Sequence, residues 1–182
     1  TIPSWRYLDS SMIVCPFCDA LNIEGADVCE ECGQTLADLH LPTPATDLER
    51  DLLRDRVSTV EPKEAVVVAP TATVGEVLET LVKEETGCAL VVDNGKLVGI
   101  FSAYDALMRV NADLEEFASH PISDVMTKDP HHIAANAKLA FAVRMMDLGG
   151  YRHAPVLDGD AQLVGVISAR DILRYLHNHM TS

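Results

Sequence analysis

Gly165-Val166-Ile167-Ser168-Ala169-Arg170-Asp171 repeats an earlier stretch of the same chain, Gly99-Ile100-Phe101-Ser102-Ala103-Tyr104-Asp105. Each is a short apolar run that ends in Gly-x-x-Ser-x-x-Asp, and two such endings in one chain mark an internal repeat. Sliding the chain against itself by 65 positions extends the match: Val57-Ser58-Thr59-Val60 falls on Ile122-Ser123-Asp124-Val125, and Lys63 on Lys128. Val74, Leu78 and Leu81 fall on Leu139, Val143 and Met146, and Ala89 to Asp93 on Ala154 to Asp158; one extra residue near Gly159 to Ala161 then makes the offset 66. Two copies of one supersecondary unit therefore fill residues 46 to 180.

Within each copy the local signals run in the same order. A leading helix is expected over Asp47 to Arg56, with Leu48, Leu52 and Leu53 on one face and Thr46 or Asp47 as cap, and its counterpart over Asp113 to Ser119. Val66 to Val68 reads as a strand. Thr73 and Glu76 have capping-box spacing before the helical pattern of Val74, Val77, Leu78, Leu81 and Val82, which Gly87 stops. Ala89 to Asp93 and Lys96 to Ser102 form a hairpin about Asn94-Gly95, and the second copy uses a longer turn at Asp158 to Ala161. Closing helices then start at Ser102 and Ser168, carrying Leu107 and Met108 in one copy and Ile172, Leu173 and Leu176 in the other. The fold class is α+β, in tandem β-α-β-β-α units.

Cys15-x-x-Cys18 and Cys29-x-x-Cys32, ten residues apart, offer two tight turns with two thiolates each to one tetrahedral ion. Gly33 follows the second pair, where such a turn needs positive φ, and Asp19 takes that place after the first. The stretch resembles a zinc ribbon. So short a segment cannot build its own core, so the metal would fold it. Iron in a rubredoxin-like site would use the same four thiolates, and disulfides would require an oxidising compartment for which the chain gives no sign.

The expected organisation is therefore a ribbon segment over 1–36, a linker with Pro42 and Pro44 over 37–46, a first unit over 47–112 and a second over 113–182. Of the 182 residues 48% are hydrophobic, enough for one core or a duplicated pair of small ones. No apolar run approaches the roughly 20 residues of a membrane span. Thr1 to Val14 lacks the features of a signal peptide, so a cytoplasmic location is the expectation.

The net charge of −14 is unevenly spread: no Lys or Arg occurs from Tyr7 to Glu49, a stretch with nine acidic residues. From Ser119 onward six Asp balance six Lys plus Arg, and six of the seven His lie there. Nucleic acid would be repelled by the ribbon, which points to a protein partner or a structural role, whereas the second copy can host a phosphate locally.

The paired units, each with a leading helix, an apolar strand, a hairpin and a closing Gly-x-x-Ser-x-x-Asp, resemble a pair of CBS domains, also called a Bateman module, over about three quarters of the chain. The resemblance implies two units about a pseudo-twofold axis, clefts that take an adenosine-containing ligand (AMP, ADP, ATP or a relative), assembly into a homodimer, and a sensor rather than an enzyme. No set of nucleophile, base and orienter at recognisable spacing argues for catalysis.

Asp105 and Asp171, one turn into their helices, can each accept from a ribose diol, and Ser102 and Ser168 can reach the ribose or a phosphate. Either Ser-x-x-Asp can equally be a helix cap. Arg170 and His153, the latter preceded by Arg152, stand where the first copy has Tyr104 and Cys88. The second copy's cleft, with Ser168, Asp171, Arg170, Arg152 and His153, is therefore expected to take the phosphate, and the first copy's to be weaker or to prefer a less charged ligand. By the resemblance, Val68 to Thr73 and Ile133 to Lys138 line the adenine pockets. Adjacent His131 and His132 point to opposite faces and do not share an ion. Met145 and Met146 are expected in the core, and Cys88 as a buried thiol.

Overall fold

The computed structural model describes residues 12–15, 17–23, 26–36, 46–110 and 114–180. The segment through Ser11, most of the expected linker (37–45) and the junction 111–113 lie outside these residues.

The ribbon consists of β1 (Met12–Val14) and β2 (Leu21–Ile23), paired antiparallel, with a bridge between Val28 and Thr35. The repeats follow with α1 (Asp47–Arg54), β3 (Val66–Val68), α2 (Val74–Lys83), β4 (Cys88–Asp93), β5 (Lys96–Ser102) and a short α3 (Ala103–Asp105). The second copy has α4 (Leu114–Phe117), β6 (Thr127–Lys128), β7 (Ile133–Ala134), α5 (Leu139–Gly149), β8 (His153–Leu157), β9 (Leu163–Ser168) and α6 (Ala169–Met180).

Local chemistry accounts for the boundaries. Thr73 and Glu76 form the full capping box of α2, and Thr46 and Glu49 that of α1. Asn94 and Gly95 both take positive φ, 48° and 78°, the turn that matches the twist of the β4–β5 hairpin. The first closing helix departs from expectation: beyond α3 the backbone widens into a π-helical stretch, Ala106–Val110, which leaves Leu107 and Met108 exposed while Arg109 reaches the Val125 carbonyl at 2.8 Å.

β3 and β4 run parallel, β4 and β5 antiparallel, and β7, β8 and β9 repeat this order. The repeats exchange their leading segments. β6, from the second copy, pairs with β5 of the first, while Lys63, from the first copy, bridges to Val166 on β9 of the second. Glycine permits both approaches: a Cβ at Gly165 would overlap the Lys63 carbonyl, and one at Gly99 the Met126 sulfur. The cores follow the exchange. Val57, with Leu48 and Leu52, packs with Ile133, Leu139, Ile167 and Tyr175, whereas Phe117, Ile122 and Val125 pack with Val74, Val91 and Phe101. A smaller cluster of Cys88, Leu90, Ile100 and Val166 joins the two sheets.

Met146 lies in the second core with Met145 against it, and burial pushes the Cys88 thiol up to about 12. Among the described residues no helix is long and apolar enough to cross a membrane.

Candidate ligand cleft and metal centre

Both Ser-x-x-Asp turns are built alike. The Ser102 amide and hydroxyl donate to Asp105 Oδ2 at 2.9 and 2.6 Å, and the Asp105 amide donates back to Ser102 Oγ at 3.3 Å. Ser168 and Asp171 repeat the pattern at 2.9, 2.5 and 3.3 Å. The cap is therefore real in both copies, and it spends only one oxygen of each buried carboxylate.

The second oxygen distinguishes the copies. Asp105 Oδ1 accepts from the Thr127 hydroxyl at 3.2 Å and lies 3.3 Å from Arg109. Asp171 Oδ1 is held by Lys63 Nζ at 3.0 Å and Arg174 Nη1 at 3.1 Å. Burial would raise the Asp171 pKa, but the Ser168 and Lys63 hydrogen bonds outweigh it and hold the carboxyl below its usual range.

Because the leading segments cross over, Ser102 and Asp105 face the second copy. They open on a cleft of about 630 Å³ whose walls include Tyr104, Lys128, His131, Tyr151, Arg152 and His153. The structure thus distributes the site residues differently from the sequence expectation, which joined Arg152 and His153 to Asp171: here they share a hollow with Ser102 and Asp105. His153 remains a neighbour of the other turn, since it is the cross-strand partner of Ser168. Burial lowers its pKa, against the opposing charge of Asp171 and with a smaller contribution from Arg152. Arg170 is exposed on α6, Ile133 is a core side chain and Val68 packs partly buried against the first core. His131 stacks on Tyr151 at 5.9 Å in this cleft, and His132 lines a different hollow of about 320 Å³ between the ribbon and the second copy.

Thr127, Lys128, Arg109 and Lys63 did not emerge from the sequence as site residues. The one signal was the alignment of Lys63 with Lys128, which carries no information about the exchange that brings each lysine to the opposite copy.

In the ribbon, Cys15, Cys18, Cys29 and Cys32 place their sulfurs within 4.8 Å of one another, the only such ligating group among the described residues. Cys15 and Cys32, and Cys18 and Cys29, are 3.7 Å apart. Four sulfurs at ~2.3 Å from a central zinc stand about 3.8 Å apart, so the set fits a tetrahedral ion. Asp19 and Gly33 take φ of 63° and 68°, and their amides donate to the carbonyls of Cys15 and Cys29, closing the two turns. Buried Asn22 donates to Cys29 Sγ at 3.4 Å, the kind of outer hydrogen bond that orients a ligand.

Residues 57–112 and 122–178 each match the CBS domain profile, and the chain belongs to the CBS domain family. It is 31% identical over 140 residues to the CBS domain-containing protein CBSCBSPB1 of Arabidopsis thaliana, a match covering 75% of this chain and 25% of that protein. The chain thus spans about a quarter of the length of that plant relative. An uncharacterized 17.7 kDa protein of Acidianus ambivalens is 28% identical over 123 residues, 66% of this chain and 73% of that one. Among solved structures, CBSX2 in complex with AMP superposes with a TM-score of 0.59 at 26% identity, covering 69% of this chain and 98% of the other. CBS domain protein PAE2072 from Pyrobaculum aerophilum, complexed with AMP, shares the fold with a TM-score of 0.61 at 24% identity, covering 70% and 100%.

Proposed function

We propose that this chain is a regulatory module that binds an adenosine-containing ligand, AMP or a close relative, in the cleft between its repeats, and that its four cysteines hold zinc. The observation that carries the reading is the cleft itself: a buried carboxylate on a serine-capped turn shares one hollow with Lys128, Arg152 and His153. Asp105 would accept from the ribose hydroxyls, and Lys128 and Arg152 would meet the phosphate, with His153 as a third partner. The AMP complex of the similar CBSX2 supports the ligand class. Asp171 is the lesser candidate, because a ribose there must displace two cations, Lys63 and Arg174, where at Asp105 it must displace the Thr127 hydroxyl and one cation, Arg109.

Domains of this family are generally regulatory rather than catalytic. Output to a protein partner through the acidic ribbon, and pairing of two chains into a dimer, complete the reading. Zinc supplies a cross-link that folds a segment whose own cluster is limited to the cysteines, Leu36 and a few partly buried neighbours.

The test is a thermal-shift screen against AMP, ADP, ATP, NAD and S-adenosylmethionine, since a ligand that binds only the folded state raises the melting temperature. A shift that disappears in Asp105→Ala and persists in Asp171→Ala is expected. Loss in Asp171→Ala alone would return the site to the second copy's turn, and no shift with any compound would overturn the ligand reading.

A further inference from the structure

The two copies differ where their central helices begin, and three of the differences involve the ribbon. In the first copy Thr73 caps α2: its amide donates to Glu76 Oε2 at 2.9 Å and its hydroxyl accepts from the Glu76 amide at 3.3 Å. The 65-residue offset places Lys138 on Thr73 and Phe141 on Glu76, so the capping box is absent from the second copy's sequence. Lys138 makes no side-chain cap to α5. Instead its amide donates to the Phe17 carbonyl at 2.5 Å and its ammonium to Asp19 at 2.9 Å, while Phe141 packs edge-on against Phe17 with ring centroids 5.1 Å apart.

A third position behaves the same way. The bridge between Thr73 and Pro121 recurs as Arg56 to Lys138, so Arg56, from the leading segment packed on the second copy, stands where Pro121 stands against the first. Arg56 donates to Asp19 at 2.6 Å and to the carbonyls of Cys18 (3.5 Å) and Asn136. Three positions that are self-sufficient in one copy have become, in the other, a seat for the turn Cys15–Asp19. That turn carries two of the four sulfurs, and Asp19, which follows the second of them, takes φ of 63°.

We propose that the first cysteine turn is the external cap of α5, so that a divalent zinc-type ion in the four-cysteine centre controls the order of the second copy's central helix. The proposal rests on the reading that the cysteines hold zinc. Its reach is set by α5, whose first turn meets the ribbon and whose end, Gly149 and Gly150, lines the ligand cleft. An ion gained or lost at one end of this helix therefore bears on the cleft at the other.

Amide hydrogen exchange on the full chain tests this, with zinc content measured in parallel. Removing zinc with EDTA should speed exchange at Lys138 and the first turn of α5 about tenfold or more, leaving the matching amides of α2 unchanged. The double variant Lys138→Thr, Phe141→Glu restores the capping box. It should still bind one zinc, and its α5 should no longer respond to EDTA. If the chain binds zinc but α5 exchanges at the same rate with and without it, or if both copies loosen equally, the cap is overturned while the zinc reading stands. If added zinc does not bind the purified chain, both fall together.

Discussion

In the first copy Thr73 and Glu76 close the start of α2 and Asp105 opens onto a roomy cleft; in the second, Lys138 and Phe141 reach out to the ribbon and Asp171 is clamped by Lys63 and Arg174. One supersecondary unit has thus been adapted in opposite directions at its two ends. The backbone skeleton is common to both, and side-chain partners decide which copy presents the open cleft and which seats the ribbon. Symmetry of fold is a poor guide to symmetry of function.

The largest effect should come from the metal centre. Structural zinc contributes on the order of 10 kcal/mol to the folding of small cysteine modules. Cys29→Ser should therefore lose bound zinc and expose the ribbon to protease, while the repeats keep their far-ultraviolet circular dichroism. A variant that still bound one zinc tightly would show that the four sulfurs do not act as a set.

Next comes the comparison of carboxylates. Hydrogen bonds to a charged group are worth about 1.5–3 kcal/mol, so Asp105→Ala should weaken AMP about ten- to a hundredfold by titration calorimetry. Asp171→Ala should change it far less. Equal losses would mean that the clefts are equivalent despite Lys63 and Arg174.

The two helix starts give a smaller, cleaner contrast. Thr73→Ala should cost about 1 kcal/mol, the usual worth of a side-chain cap, read as a lower urea midpoint. Lys138→Thr, which supplies a cap residue but removes the contact with Asp19, should separate local capping from docking. If it destabilises only the chain that retains its ribbon, docking is the dominant role.

Acid titration is the finest probe. The Asp171 carboxyl is held below its usual value of 3.8 in the folded chain. Its contribution to stability is then fully present above that value and is lost as pH falls through the lower, folded one. Asp171→Asn should flatten the decline in urea midpoint below pH 4, and an unchanged decline would assign the acid limb to other carboxylates.

Much of this was legible in the residues. The 65-residue offset located β3, β4, β5 and their second-copy counterparts, the hairpin at Asn94-Gly95 and both Ser-x-x-Asp turns, because turn chemistry and short apolar runs are local properties, whereas β1, β2 and β6 were not read. The paired cysteines and the positive φ at Asp19 and Gly33 were readable for the same reason. What escaped was the exchange of leading segments, since an offset says which residues correspond and nothing about which copy they touch. The sequence grouped Arg152 and His153 with Asp171 alone, whereas the hollow they line also holds Ser102 and Asp105. Phe17 and Phe141 carried no signal either, because an aromatic in a ribbon turn and another in an amphipathic helix each have an ordinary local explanation.

The crossover at Lys63 and Val166, mirrored by β6 against β5, has a further consequence. Each half of the duplicated region carries the piece that finishes the other, so neither half is a complete folding unit. A polypeptide cut between residues 110 and 114 would yield two fragments, each with apolar surface shaped for its absent mate. Mixed together, they should reassemble as one noncovalent body, each supplying the mortar that the other lacks.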